Sequence, residues 1–375
     1  MNSNMKSHSR FKVFFLLIFL VYVRTAFCAV PAGNSDRSPL RFYQPSDTKI
    51  QYTGRIDFSN RMLPRFWAPG VYIKLAFEGN FFELIINDEQ KWEGNNYVSI
   101  AIDDLPVKRI KLGKKRNVLQ LGDGLSRQKH IITICKSTES GIGYLEFVGV
   151  RCKKLVQAPP LPRLKIEFIG NSITCGMGSD TSDVACNKGK WYDQNNAYKA
   201  YGPLTARALN AQWQLTSVSG IGLTRSCCGG KLIMPQVFDK INLAENTIPW
   251  NFKKFQPDIV TVCLGQNDGI VEADQFCSAY VKFLNTLRHH YPKATIICLT
   301  SPMADAELVE VQKAYLDRIV DEMNTGGDHK IHRYFFKKRY HNGCDSHPNL
   351  EEHQQIANEL ITFIRGNNYH QFNKS

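Results

Sequence analysis

The sequence predicts an α/β protein of two domains, an N-terminal all-β jelly roll or sandwich and a C-terminal α/β/α domain with a parallel sheet. The chain has 375 residues, a length typical of two domains. Short apolar runs separated by turn residues fill residues 50–152, whereas strand-like runs alternate with helix-length stretches from residue 164 onward. Three prolines at 159–163 form a stiff segment between the two patterns, and we place the linker there.

The first 29 residues are typical of a signal peptide. Basic residues precede the apolar run 13–23, and small residues follow it near Ala29. The apolar run is short for a membrane span, and a retained N-terminal anchor is the alternative. We therefore expect a secreted, extracellular protein with no stable membrane partner.

The net charge of the chain indicates which classes of molecule the protein could bind. It is +13 for the whole chain and +9 without residues 1–29, because four basic and no acidic residues lie in that segment. A basic secreted protein is suited to acidic polysaccharides or anionic surfaces. No arginine-rich block and no basic ribbon with interleaved aromatic residues marks a nucleic-acid site. We expect the charge to be solvated surface and the protein not to bind nucleic acid.

The cysteines suggest disulfides rather than a metal site. Eleven are present and ten remain after residues 1–29, an even number that permits disulfides in an oxidising compartment. Cys135 and Cys152 flank two predicted strands and could bridge them. Cys263 and Cys298 lie within apolar runs, where free core thiols are common. No spacing typical of zinc ligands occurs, so we expect no metal.

Residues 30–158 are predicted to form the β domain. Many short strands at close spacing, with no helix-length period, are typical of a sandwich or jelly roll. The aromatic residues Phe66, Trp67 and Tyr72 could stack on sugars, but core packing is favoured because large aromatic residues usually fill interiors. The predicted strands are 71–77, 81–86, 97–102, 130–135 and 143–150.

Residues 164–375 are predicted to form the α/β domain. Strands that alternate with helices indicate a parallel sheet covered by helices on both faces. The predicted strands are 165–169, 213–218, 259–264 and 295–300, and the predicted helices are 197–210, 273–290, 306–323 and 350–366.

Four polar residues lie where this sheet would place a site. Ser172 follows the first predicted strand, Gly220 the second and Asn267 the third, while His347 precedes the last helix. Open α/β sheets hold their sites at the carboxyl ends of the strands. A serine hydroxyl needs a base to become a nucleophile, and histidine can serve. Taken singly, each residue could be an ordinary turn or helix-entry residue, with Asn349 capping the last helix.

The order Ser, Gly, Asn, His resembles that of the SGNH (GDSL-like) hydrolases, with Gly170-Asn171-Ser172 in place of Gly-Asp-Ser. The sequences YTGRIDF near the start of the β domain and CDSHPN before the last helix extend the resemblance to carbohydrate esterase family 2. Members of that family pair a jelly roll with an SGNH-type α/β/α hydrolase domain and remove acetyl groups from plant polysaccharides. The resemblance covers nearly all of the chain after residue 29.

The resemblance implies roles for these residues. Ser172 would be the nucleophile and His347 the base. Gly220 and Asn267, with the amide of Ser172, would hold the oxyanion, and Gly222 is the alternative to Gly220. No cofactor is expected.

The sequence departs from the SGNH pattern at the residue that orients the histidine. Most SGNH enzymes have an aspartate three positions before it, where this chain has Cys344. Either Asp345, two positions before His347, or a backbone carbonyl would then orient the ring. Asp268 is a less favoured orienting residue and is expected to be structural.

Trp191 and Tyr192 lie in a polar insertion between Ser172 and the next helix. Aromatic residues on such a loop either stack on a sugar ring or pack within the loop, and we take them as candidate substrate-binding residues.

The predicted function is a secreted serine esterase that removes O-acetyl groups from polysaccharides or oligosaccharides. Because a fold does not fix the substrate, a lipase or thioesterase acting on other acyl groups is one alternative. The other is a carbohydrate-binding protein with an inactive hydrolase domain.

Overall fold

The computed structural model describes residues 40–122 and 124–369. The predicted signal peptide, residues 1–29, lies outside the described residues. Within them, no helix combines the length and the apolar character that crossing a membrane requires.

The first part of the chain forms one antiparallel sheet around a long central strand. The two predicted strands 71–77 and 81–86 are a single strand of 17 residues, Tyr72–Asp88. Its pairing register shifts between Glu78 and Phe82, and Gly79 has a φ of +121° there. The turn residues that suggested two strands therefore form a bulge. The strands are β1 (Arg41–Tyr43), β2 (Gln51–Thr53), β3 (Arg65–Phe66), β4 (Tyr72–Asp88), β5 (Tyr97–Ile102), β6 (Lys108–Lys111), β7 (Arg116–Leu121), β8 (Lys129–Lys136) and β9 (Leu145–Val156).

The length of β4 allows it to pair with different strands along its course. Its first half pairs with β8 and its second half with β7, while β9 lies along the other side. Alternate side chains of β4 point into one apolar core, as expected of a strand with one buried face. Phe66, Trp67 and Tyr72 are buried, so the expected packing role is confirmed for them.

The predicted bridge between Cys135 and Cys152 is wrong. Both are free and buried. Cys135 lies on β8 and Cys152 on β9, and β4 runs between these two strands. Two strand spacings amount to about 10 Å, which exceeds the Cα separation that a disulfide spans. The expected free core thiols, Cys263 and Cys298, are found buried and unpaired.

The second part of the chain forms a five-stranded parallel sheet in the order β11-β10-β14-β15-β16. Its strands are β10 (Leu164–Gly170), β11 (Ala211–Ser217), β14 (Ile259–Cys263), β15 (Thr295–Leu299) and β16 (Ile331–Tyr334), and a hairpin of β12 (Lys240–Asn242) and β13 (Thr247–Pro249) lies outside the sheet. Strand β16 was not predicted, because its sequence IHRY has only one fully buried residue. The predicted linker, 159–163, lies in the connection between β9 and β10.

Helices cover both faces of the parallel sheet. Residues of α2 and α6 share an apolar cluster with Ile166 and Phe168 of β10, whereas α4 and α5 pack on the side of Val260 and Val262. The fold class predicted from the sequence is therefore confirmed. The helices are α1 (Ser172–Cys175), α2 (Tyr201–Ala208), α3 (Met234–Val237), α4 (Ala273–His290), α5 (Ala306–Thr325) and α6 (Leu350–Gly366).

A buried ion pair joins the two domains. The Arg55 guanidinium donates to the Glu167 carboxylate on β10 at 3.1 Å, and both side chains are fully buried. Arg55 also donates to the carbonyl oxygens of Phe238 and Lys240, and its guanidinium lies over the Trp250 ring. Because a charge removed from water is costly unless it is paired and hydrogen-bonded, these contacts fix where the domains meet.

We expect Glu167→Gln to lower the free energy of unfolding by about 3 kcal/mol or more, because it leaves the Arg55 charge buried without a counter-charge. The matched control is Glu78→Gln, which removes the partner of the exposed Lys154 and should cost about 1 kcal/mol or less. Urea denaturation measures both. Equal losses in the two variants would contradict the interdomain role of the buried pair.

Candidate active site

Ser172 lies at the first position of helix α1, directly beyond the end of β10. The turn between them is tight. A Cβ on Gly170 would lie 2.1 Å from Thr174 Oγ1, so only glycine fits that position. The Asn171 side chain caps the helix by accepting from the amide of Ile173 at 3.1 Å. Small and capping residues thus hold the Ser172 hydroxyl at the carboxyl edge of the sheet.

His347, which precedes the last helix in the sequence, lies beside Ser172 at this edge of the sheet. Its Nε2 lies 2.8 Å from Ser172 Oγ, across 175 positions of sequence. Ser172 is 6% exposed and His347 8% exposed. This separation is within the range required for a base to accept the hydroxyl proton. Two residues predicted to act together are therefore brought into hydrogen-bonding contact.

The imidazole ring is oriented by a backbone carbonyl. His347 Nδ1 lies 3.0 Å from the carbonyl oxygen of Asp345. A carbonyl only accepts, so Nδ1 carries the proton and Nε2 keeps the lone pair that faces Ser172. The exposed Asp345 has a φ of +50° and Ser346 a φ of +57°. Of the two orienting groups left open by the sequence, the carbonyl of Asp345 makes the contact and its carboxylate does not.

Burial keeps the His347 ring neutral. It lowers the pKa of His347 below 6.5, and the hydrogen bond to the Asp345 carbonyl opposes this shift in part. A second histidine, His353, is fully buried in α6, and burial together with His347 lowers its pKa to about 3. Because a protonated imidazole cannot accept a proton, the direction of the His347 shift suits a base at neutral pH.

The segment that carries His347 is fixed on both sides. Before it, Cys344 forms a disulfide with Cys186, 158 positions away, and its amide donates to the carbonyl of Gly178 at 2.8 Å. After it, Asn349 and Glu352 form a capping box at the start of α6, which confirms the predicted cap. The sequence did not reveal this disulfide, because cysteine pairing cannot be read from one chain.

Gly220 and Asn267 lie on neighbouring loops. Gly220 follows β11 with a φ of +77°. The Asn267 side-chain amide donates to the carbonyl of Ile221 at 2.8 Å, which ties the loop after β14 to the Gly220 loop. The alternative donor Gly222 gives its amide to Ser226 Oγ, so Gly220 is favoured over it. Asp268 accepts from the amides of residues 223–225, and its expected structural role is confirmed.

A carboxylate from the β domain supports this loop, a contact that the sequence did not indicate. Glu139, in the connection between β8 and β9, accepts from the amide of Ser219 at 3.0 Å and also from its hydroxyl. The buried ammonium of Lys136 donates to the carbonyl of Glu139 at 3.0 Å, and burial lowers the pKa of Lys136 to about 7. The residue before Gly220 is therefore held by the other domain.

Trp191 and Tyr192 differ in their surroundings. Trp191 is 47% exposed, whereas Tyr192 is 5% exposed and packs with Tyr97 and Ile142. The Tyr192 hydroxyl accepts from the amide of Asn95. The predicted stacking of Tyr192 on a sugar is therefore contradicted by its burial, while Trp191 remains accessible.

Trp92 is another exposed aromatic residue, at 85% exposure, and the sequence did not indicate a role for it. It lies in the 91–93 turn, just before Asn95. Lys91 of this turn contacts Glu245 of the α/β domain. Among the described residues, no group of three or more histidine, cysteine, aspartate or glutamate side chains is arranged to hold a metal ion.

Comparison with known proteins matches both domains. Residues 52–162 match the family model described as carbohydrate esterase 2 N-terminal, and residues 168–328 match the GDSL-like lipase/acylhydrolase family. The chain thus carries the two domains that its sequence motifs predicted, an N-terminal domain matching carbohydrate esterase 2 and a GDSL-like hydrolase domain. The resemblance to carbohydrate esterase family 2 is therefore confirmed.

Three relatives illustrate the match. Cellulase/esterase CelE of Acetivibrio thermocellus is 32% identical over 328 residues, which are 84% of this chain and 39% of that protein. An acetylxylan esterase/glucomannan deacetylase of Cellvibrio japonicus is 26% identical over 93% of this chain and 98% of its own length. A solved family 2 esterase from Clostridium thermocellum in complex with cellohexaose is 29% identical, with a TM-score of 0.78 over 86% of this chain and 100% of that structure.

Because the Asp345 carbonyl, and not its carboxylate, contacts His347, the Asp345 side chain should be dispensable. We expect Asp345→Asn to keep kcat/KM for an acetyl ester within about tenfold of the parent, whereas loss of an orienting triad carboxylate costs about 10⁴-fold. Asparagine tolerates the left-handed backbone conformation at this position, so the carbonyl should stay in place. Steady-state hydrolysis measures the effect. A loss of 10³-fold or more would assign the orienting role to the carboxylate.

Proposed function

We propose that this chain is a secreted serine esterase that removes O-acetyl groups from polysaccharides. The observation that carries the proposal is the contact of 2.8 Å between His347 Nε2 and Ser172 Oγ, with Nδ1 bound to a carbonyl. That arrangement fits a hydroxyl activated by a neutral imidazole. The match of both domains to esterase families supports the ester substrate.

In the proposed reaction, His347 takes the proton of the Ser172 hydroxyl as Ser172 Oγ attacks the acetyl carbonyl carbon. The negative charge that develops on the carbonyl oxygen is held by the amides of Ser172 and Gly220 and by the Asn267 side chain. The protonated His347 then gives its proton to the sugar oxygen as the bond from that oxygen to the acetyl carbon breaks. Water, deprotonated by His347, attacks the acetyl-enzyme; the bond to Ser172 Oγ breaks, Oγ regains a proton from His347, and acetate is released.

The preference for acetylated polysaccharide is supported by the relatives. Two are named acetylxylan esterase/glucomannan deacetylase, and a solved relative holds cellohexaose. In this chain, the exposed Trp191 lies on the same loop as Cys186. The disulfide from Cys186 to Cys344 attaches this loop to the segment that carries His347. An exposed indole on that loop suits stacking on a sugar ring.

Secretion is supported by two features. The pattern of residues 1–29 is that of a signal peptide. The Cys186–Cys344 disulfide is of a kind that persists in oxidising compartments.

The first test is acetate release from acetylated xylan and acetylated glucomannan. We expect Ser172→Ala to lower kcat by at least about 10³-fold because the nucleophile is removed. Its free energy of unfolding should change by about 1 kcal/mol or less, since a single hydrogen bond is lost. The matched control is Ser59→Ala on the exposed surface of the β domain, which should keep the parent rate.

The other outcomes of this test distinguish the alternative functions. Release by Ser172→Ala at the parent rate would refute the nucleophile. No release by the folded parent from either polymer, but hydrolysis of longer acyl esters, would favour a lipase or thioesterase. Glycan binding without hydrolysis of any ester would favour the carbohydrate-binding alternative.

The pKa of His347 predicts the pH dependence. The base must be neutral, and burial lowers its pKa below 6.5. Activity should therefore be retained at neutral pH and fall as the pH drops through the lowered pKa of His347. We expect kcat/KM against pH to show an acidic limb with its midpoint below 6.5. Unfolding measured at the same pH values controls for loss of structure, and a rate that rises on acidification would contradict His347 as the base.

A further inference from the structure

Two adjacent cysteines, Cys227 and Cys228, lie on the loop that packs against Gly220. Their Sγ atoms are 2.6 Å apart. Cys228 is exposed and Cys227 half-buried, whereas the other free cysteines among the described residues are all buried. The pair is therefore the accessible thiol site of the described chain, and no step of the proposed ester hydrolysis uses it.

The loop backbone at the pair is unusual, as a bond between adjacent cysteines requires. Consecutive Cα atoms lie 3.8 Å apart, closer than the Cα atoms of ordinary disulfides, so a bond between neighbours requires an unusual local backbone. Cys228 has a φ of +60° and Gly229 a φ of +78°. Left-handed conformation is uncommon for a residue with a Cβ. This backbone already directs both sulfur atoms to the same point.

The pair also lies against the proposed oxyanion donor. The amide of Cys227 donates to the carbonyl of Gly220 at 2.9 Å. A Cβ on Gly220 would lie 3.2 Å from Cys227 Sγ. Both cysteines line a surface cavity together with Gly220 and Leu243. Any change in the sulfur positions therefore alters the packing around Gly220.

We propose that Cys227 and Cys228 are a site of thiol–disulfide exchange that reversibly closes a disulfide between adjacent residues beside Gly220. The oxidant is a small-molecule disulfide such as oxidised glutathione. The Cys228 thiolate attacks one sulfur of the oxidant, forms a mixed disulfide and releases one external thiolate. Cys227 then gives its proton to that thiolate, attacks Cys228 Sγ and displaces the second external sulfur as a thiolate, which takes a proton from water. Two protein thiols are oxidised, and one external disulfide is reduced to two thiols.

The order of attack follows from accessibility. Cys228 is the exposed member of the pair. Burial, with the hydrogen bond to Cys228, raises the pKa of the Cys227 thiol to about 11, so Cys227 stays protonated at neutral pH. The thiolate is the attacking species in exchange, which makes Cys228 the entry point and Cys227 the resolving thiol.

The test uses the purified chain in buffers of graded reduced-to-oxidised glutathione ratio, followed by alkylation and tryptic digestion. Cleavage after Arg225 and Lys231 isolates both cysteines on the peptide 226–231. At oxidising ratios we expect this peptide to be lighter by two hydrogens, and at reducing ratios to carry two alkyl groups. Two alkyl groups at every ratio, or a stable single glutathione adduct in the parent, would overturn the proposal.

A trapping variant tests the order of attack. In Cys227→Ser, the mixed disulfide at Cys228 has no resolving thiol, so a glutathione adduct should accumulate on Cys228 under oxidising conditions. In Cys228→Ser, the adduct should form at least about tenfold more slowly, because the remaining thiol is half-buried and burial still raises its pKa. Equal rates in the two variants would refute Cys228 as the entry point.

A second readout rests on the proposed function. Closure of the disulfide fixes the loop of Gly220, the proposed oxyanion donor, so the oxidised parent should have a kcat for an acetylated substrate at least about threefold above that of the reduced parent. The double variant Cys227→Ser/Cys228→Ser should show no such response, and any response it keeps reports Cys186–Cys344 instead. An equal kcat for both forms of the parent would refute the coupling to the site, whereas a lack of hydrolysis by either would refute the esterase and leave the mass result standing.

Discussion

The buried ion pair between Arg55 and Glu167 determines where the two domains meet. Glu167 lies on β10, three positions before the glycine that ends this strand, and the same strand leads directly to Ser172. Arg55 in turn binds the carbonyl oxygens beside β12. A fully buried charge tolerates little displacement of its partner, since separation would leave it uncompensated. The strand that presents Ser172 is therefore held against the β domain as well as within its own sheet.

Much of the fold could be predicted because its signals are local. Helices 273–290 and 350–366 and strand 97–102 have the bounds expected from their apolar periods. The bulge in β4 was mistaken for a turn, because glycine and asparagine occur in both. Strand β16 was missed because an edge strand with polar side chains has little apolar signal.

The candidate site was also predictable only where its residues carry a local sequence signal. Ser172, Gly220, Asn267 and His347 could be placed from the sequence, since each follows a predicted strand or precedes a helix. The orienting carbonyl of Asp345 could not be chosen over its carboxylate, because the choice depends on two consecutive left-handed residues. Burial separates Tyr192 from Trp191, although they are neighbours in sequence. The pairing of Cys186 with Cys344 joins residues far apart in the chain, and no local pattern encodes it.

The contact between Glu139 and Ser219 has a consequence for how such proteins can diverge. The carboxylate belongs to the first domain, while the amide and hydroxyl that it binds belong to the second and come directly before Gly220. Recombination that joined the second domain to a foreign partner would carry Ser172 and His347 along, but it would leave the amide of Ser219 without its acceptor. The hydrogen bonds that hold the residue before Gly220 would then be lost. The geometry of the proposed oxyanion donor in the second domain thus depends on a side chain of the first, and a substitution of Glu139 would alter the chemistry of the neighbouring domain.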